Sequence, residues 1–211
     1  MNHVMLDIDG TLIQSYEFDE KCFIDAVREV TGLELETDWE NYPYVTDRGI
    51  LKTFISRQAP RYSLNELERA VKPVFTRNIQ KTIDSEPTLE VDGAIEFVSY
   101  LRKSKEHVVS VATGGWGETA KLKLESAGFE TDGLILASSN DHYSRIEIMK
   151  TARRQADLMG QFPVTYFGDA VWDVKACDTL GVNLVVVGER VNHHQRIQNF
   201  NSLERALSYV K

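Results

Sequence analysis

Cysteine is almost absent: Cys22 and Cys177 are the only two in 211 residues, and they lie far apart. Two distant thiols make no disulfide framework, so a reducing compartment is expected. Long hydrophobic runs are missing as well. None approaches the roughly 18–20 residues of a membrane-spanning helix, and no membrane partner is expected. The first residues lack the apolar stretch of a secretory leader, because Asp7 and Asp9 interrupt it. A soluble cytoplasmic protein is therefore expected. Positive charge is in the minority, with 24 Lys and Arg against 32 Asp and Glu and a formal net charge of −8. That balance argues against a duplex nucleic-acid binder, which carries a basic face, so no nucleic-acid partner is expected. A small anionic substrate stays open, because a few local cations or a metal override the global field. Internal repeats and low-complexity tracts are absent.

What is present is a good core former, 42% apolar. Five short apolar runs read as strands: His3–Ile8, His107–Ala112, Leu134–Ala137, Val164–Phe167 and Asn183–Val187. The stretch NLVVVG is apolar without alternation, as in a strand covered on both faces. Ala94, Phe97, Val98 and Leu101 fall at helical spacing, and so do Leu203, Ala206, Leu207 and Val210. Ser63 with Glu66, and Ser144 with Glu147, are spaced as capping boxes that start helices. Strand-helix alternation implies an α/β fold with a parallel sheet covered on both sides.

One interval breaks that rhythm. About 95 residues separate the first two strands, where a crossover needs a dozen or so plus its helix. Helical patches cover Phe18–Val30, Thr46–Arg57 and Leu64–Lys81, with Pro73 expected to kink or split the last. The interval reads as an inserted helical subdomain over 15–88, with the core made of 1–14 and 89–211.

The residues after each strand carry the chemistry. VMLDIDGTL runs from an apolar strand straight into Asp7 and Asp9. Burying such charges costs several kcal/mol unless they are paired or bound to a metal (order of magnitude). The second strand leads to Thr113, Gly114 and Gly115, the third to Arg145, and the fourth to Asp169 and Asp173. Ligands of open parallel sheets bind beyond the carboxyl ends of the strands. Carboxylates there suit Mg²⁺, and a hydroxyl, backbone amides and a cation suit a phosphoryl group.

Taken in order, DIDGT, SVATGG, a basic residue before a helix, and GDAVWD resemble the haloacid dehalogenase (HAD) superfamily of hydrolases, across almost the whole chain. The likeness is to the phosphatase type with a helical C1 cap, as in phosphoglycolate phosphatases. It implies a Rossmann-like core with the first strand central, the fourth beside it, and the insert as cap. It implies Asp7 as the nucleophile that forms an aspartyl-phosphate, and Asp9 as general acid and then base. It also implies Mg²⁺ held by Asp7, Asp169 and the Asp9 backbone carbonyl, with Asp173 holding metal-bound water or orienting the others. Thr113 and the Gly114 amide would grip the phosphoryl oxygens. The superfamily's dehalogenases lack the second acid of DIDGT, so Asp9 points to phosphoryl transfer from a small phosphorylated metabolite. A phosphomutase with the same residues, and a phosphate-sensing module without turnover, are the alternatives.

Many members of the superfamily place a Lys before the fourth strand. Here the choices are Arg145 and Lys150. Five residues along a helix turn a side chain by about 140° and lift it about 7.5 Å, so the two cannot serve one place. Arg145, at the helix start, is expected to be the cation of the site. Trp116, Trp172 and Cys177 read as packing, His193–His194 as a solvated loop, and Arg48, Lys52, Arg57 and Arg61 mostly as a solvated face. Thr46, Asp47 and Arg48 cluster just before a helix, where the insert could touch substrate.

Overall fold

The computed structural model describes residues 1–210; Lys211, the last residue of the expected 89–211 segment, lies outside them. A six-stranded parallel sheet is flanked by helices in a Rossmann-like fold. Its strands are β1 (Asn2–Leu6), β2 (His107–Ala112), β3 (Ile135–Ala137), β4 (Val164–Gly168), β5 (Asn183–Val187) and β6 (Arg196–Ile197). Their order is β3-β2-β1-β4-β5-β6, so β1 is central with β4 beside it. The two-residue β6 is too short to leave a sequence pattern. β1 ends at Leu6, two residues before the expected Ile8, but Asp7 N–H still donates to Phe167 O across the sheet (2.9 Å).

Strand periodicity explains why the sheet is apolar throughout. Val4, Leu6, Val111 and Val185 pack into one cluster, while Met5, Tyr166 and Val186 pack into another. Neighbours along a strand point to opposite faces, so a central strand covered on both sides is apolar at every position. The helices over these faces are α4 (Ala94–Lys103), α5 (Gly117–Ser126), α6 (Arg145–Ala156), α7 (Val171–Leu180) and the short α8 (Leu203–Leu207).

Between β1 and β2 lie α1 (Tyr16–Thr31), α2 (Asp47–Arg57) and α3 (Leu64–Ser85). They surround their own apolar cluster, which includes Phe23, Val27, Phe54, Leu67 and Phe75. Ser63 and Glu66 form the expected capping box of α3. Pro73 does not split α3, which runs unbroken to Ser85. Its ring is on the exposed face, where a carbonyl that loses its partner is open to solvent. The Ser144 box is not formed, because Glu147 pairs with Lys150 instead (2.7 Å). The two crossings between sheet and insert pair with each other: Gln14 N–H donates to Leu89 O and Val91 N–H to Leu12 O, both at 2.8 Å. No helix among the described residues is long and apolar enough to cross a membrane.

His3, buried within β1, shares a 2.6 Å hydrogen bond between Nε2 and Ser110 Oγ. Burial, reinforced by Arg153 and opposed by Asp157, lowers its pKa from 6.5 to about 4. Between those values the unfolded chain binds the proton and the folded chain does not. Stability therefore falls as pH drops from about 6.5 to about 4, by up to about 3 kcal/mol at 1.4 kcal/mol per pH unit. Unfolding free energies of the wild type and His3→Gln across pH 4–7 check this. The wild type is expected to lose more stability on acidification than the variant, and parallel curves would contradict the assignment.

Candidate active site

The carboxyl ends of β1, β2 and β4 and the start of α6 meet the insert around a cavity of about 100 Å³. Asp7, Asp9, Thr113, Gly114, Arg145 and Asp169 all line it, as does Asp47 from α2. Residues as far apart in the chain as Asp7 and Arg145, 138 positions, are thus brought together.

Asp7 is 4% exposed, just beyond the end of β1. One guanidinium nitrogen of Arg145, Nη1, donates to Asp7 Oδ1 (3.2 Å), Asp173 Oδ1 (3.0 Å) and the Tyr166 hydroxyl (3.2 Å). Arg145 Nε is buried without an acceptor. Lys150 is half exposed and engaged with Glu147, away from the site. Asp173, fully buried, uses Oδ2 to accept from the Ala170 N–H (3.0 Å) at the start of α7. With its other oxygen on Arg145 and Tyr166, it orients the cation. Asp169 accepts from Arg190 Nη1 (2.6 Å), and the guanidinium carbon of Arg190 lies 3.8 Å over the centre of the Tyr16 ring.

Oxygens of Asp7, Asp169 and Asp173 lie within 4.8 Å of one another. Burial, then the neighbouring acids, pushes Asp7 well above the usual carboxylate range despite Arg145. The same two causes raise Asp169 to about 6 against the pull of Arg190. Buried acids this close favour an added positive charge, and an all-oxygen donor set fits a hard cation such as Mg²⁺. Gly10 makes the arrangement possible. Its φ of +83° suits glycine, and a Cβ there would run into the Asp169 carboxylate.

Asp9 faces differently. Its Oδ1 accepts from the Ser15 hydroxyl and from the Lys123 ammonium, both very close. Lys123, on α5, is fully buried and also binds Asp19 of α1. Burial works against the ammonium, but Asp19 and Asp9 outweigh it and hold its pKa above the usual lysine value. Asp9 Oδ2 lies on the Gly115 side: a Cβ on that glycine would have Thr113 Oγ1, Asp47 Oδ2 and Asp9 Oδ2 at 3.6, 3.8 and 4.0 Å. Thr113 Oγ1 accepts from Gly115 N–H (3.1 Å), which leaves the hydroxyl proton for another partner.

The insert is fastened over this loop. Asp47 N–H donates to Gly114 O (2.9 Å), and Asp47 Oδ2 accepts from Trp116 N–H (2.8 Å). Thr46 caps α2 and donates to Tyr143 O (2.7 Å). A Cβ on Gly114 would meet Arg145 Nη2 at 2.7 Å and Val45 O at 3.0 Å, so this close approach requires glycine. Arg48 turns away to Glu68 (2.8 Å). Trp116 and Cys177 are buried packing, whereas Trp172 lines the cavity.

Lys123, Asp19, Arg190 and Tyr166 had no place in the sequence reading. One signal was available: Ala120, Lys123, Leu124 and Ala127 follow the i, i+3, i+4, i+7 pattern of a buried stripe, with a lysine in one slot. Arg190 sits in a loop with no pattern.

A sequence profile of the haloacid dehalogenase-like hydrolases matches residues 4–187. The chain belongs to that family. No curated protein matches the sequence significantly. Among solved structures, this HAD-family chain is similar to CbbY from Rhodobacter sphaeroides in complex with phosphate, at 14% identity over 96% of each chain with a TM-score of 0.72. It is similar to β-phosphoglucomutase from Clostridium difficile, at 14% identity over 99% of this chain and 96% of that one, TM-score 0.73. A hydrolase from Pseudomonas syringae aligns at 17% identity over 98% of this chain and 90% of that one, TM-score 0.71. At such identities the likeness to these structures shows the fold alone.

Proposed function

We propose that this HAD-family hydrolase is a Mg²⁺-dependent phosphatase for a small phosphorylated metabolite, working through an aspartyl-phosphate on Asp7. The supporting observation is that Asp7, Asp9, Thr113, Arg145 and Asp169 line one small cavity. Mg²⁺, held by Asp7 and Asp169 with the Asp9 backbone carbonyl, would offset the charge of the acids and the phosphoryl oxygens. An Asp7 oxygen attacks phosphorus while Arg145, Thr113 and the Gly114 amide hold the phosphoryl oxygens in line. The ester P–O bond breaks, and Asp9 gives its proton to the leaving oxygen. Asp9 then takes a proton from water, whose oxygen attacks phosphorus and releases Asp7 and phosphate. The segment 15–88 acts as the cap that excludes bulk water. Two buried free cysteines, Cys22 and Cys177, suit a reducing cytoplasm.

The walls favour this reading over a phosphomutase. Among the described residues, Arg145 is the only cation lining the cavity, and the phosphoryl group would occupy it. On the insert side, Glu20 would meet a second phosphate with like charge, and the Asp19 carboxylate is already taken by Lys123. The cavity is also far below the roughly 300–1,000 Å³ of drug-sized sites. A panel of phosphate esters assayed with Mg²⁺ tests the proposal. Compact monophosphates are expected to turn over, chelator to abolish the activity, and Mg²⁺ to restore it. Asp169→Ala should raise the Mg²⁺ concentration needed for half-maximal rate by at least about tenfold, as loss of one of few protein ligands. Dependence on an added bisphosphate would favour the mutase, and full activity in excess chelator would contradict the metal.

A further inference from the structure

Lys123 is fully buried, yet it touches no part of the substrate in the chemistry proposed above. An ammonium taken from water needs partners, and a single carboxylate would serve. Lys123 instead spans two segments, with Asp9 after β1 on one side and Asp19 of α1 on the other. Ser15, immediately before α1, donates to the same oxygen of Asp9 that Lys123 holds. Two donors from separate elements therefore converge on Oδ1. Oδ2 is left beside Gly115, Thr113 and Asp47, which line the cavity. The two oxygens of a free carboxylate interchange by rotation, and this pair of donors removes that freedom.

We propose that Lys123 is a positioning residue: with Ser15 it holds Oδ1 of Asp9 so that Oδ2 exchanges the proton with the leaving oxygen, and Asp19 holds Lys123 in that pose. The inference rests on the phosphatase reading and adds to it a residue that acts only through Asp9. It also ties the acid to the placement of α1, because Asp19 belongs to the insert. A purely structural Lys123 would affect every substrate alike. A positioning Lys123 affects substrates according to how much their leaving group needs a proton.

Single-turnover phosphorylation with Mg²⁺ present, using an alkyl phosphate and nitrophenyl phosphate, separates the two. Lys123→Met is expected to slow the alkyl ester about 10²-fold and the nitrophenyl ester less than about threefold, the mark of a misaligned general acid. Where Lys123→Met does not fold, as judged by circular dichroism, Lys123→Met/Asp19→Asn removes the acid left unpaired and is read the same way. Asp19→Asn alone should show a smaller loss in the same direction. Equal losses on both esters, or no loss, overturn the proposal. Asp9→Asn is the comparator. If Asp9→Asn discriminates between the esters and the Lys123 variants do not, the positioning role alone falls. If Asp9→Asn does not discriminate, the acid assignment of the proposed function falls with it.

Discussion

Asp7→Asn is expected to lose at least about 10³-fold in turnover while the protein folds normally. Asparagine is nearly isosteric, so Gly10, Thr113 and Arg145 keep their neighbour. Its amide is a poor nucleophile and a weaker ligand for a hard cation. Stability should hold or rise in the metal-free protein. Asp7 is buried against Asp169 and Asp173, and burial with that repulsion is what raises its pKa. Removing the charge relieves the repulsion, and Arg145 keeps Asp173 as partner. Thermal unfolding beside a phosphatase assay reads both effects. A folded variant with more than about a tenth of the wild-type rate would remove Asp7 as nucleophile.

Arg145→Ala is expected to cut kcat/KM by at least about 10²-fold, and Lys150→Ala by less than about threefold. The Arg145 side chain is only 11% exposed and bridges Asp7 and Asp173. Its loss leaves two buried acids without their cation, which costs roughly 3–5 kcal/mol when a buried pair is broken. The Arg145→Ala protein should therefore also melt earlier. Arg145→Lys should recover little, since an ammonium cannot reproduce the planar set of donors. Lys150 meets only Glu147 on the surface. Steady-state kinetics on one ester, with melting curves, ranks the variants, and the reverse ranking would transfer the role to Lys150.

The position of Arg145 beside Asp7 and Asp173 shows what the sequence makes legible. An apolar run that ends in charge marks a strand end, and helix geometry separates position 145 from position 150 without any coordinates. Asp7, Asp9, Thr113, Asp169 and Asp173 were visible on the same ground. Lys123 was hidden because its two partners are 114 and 104 residues away, and local pattern carries no record of such pairings. That α3 runs on past Pro73 without splitting was not legible, because it depends on which face of the helix meets water. The capping box at Ser144 failed because Glu147 had a second suitor in Lys150. Asp47 was flagged by its place before a helix, but its grip on Gly114 and Trp116 is visible only once the insert is folded over the sheet.

The central claim is a covalent phosphoryl group on Asp7. Trapping it is the most direct test: incubate the Mg²⁺-loaded protein with nitrophenyl phosphate, quench in acid, and map the phosphorylated peptide by mass spectrometry. Asp9→Asn should raise the yield, because hydrolysis of the intermediate needs the Asp9 base more than its formation from this ester does. The account predicts a phosphoryl adduct on the peptide containing Asp7, absent in Asp7→Asn. Turnover of the ester with the adduct on another residue, or with no adduct in Asp9→Asn under conditions where product forms in a burst, would contradict it.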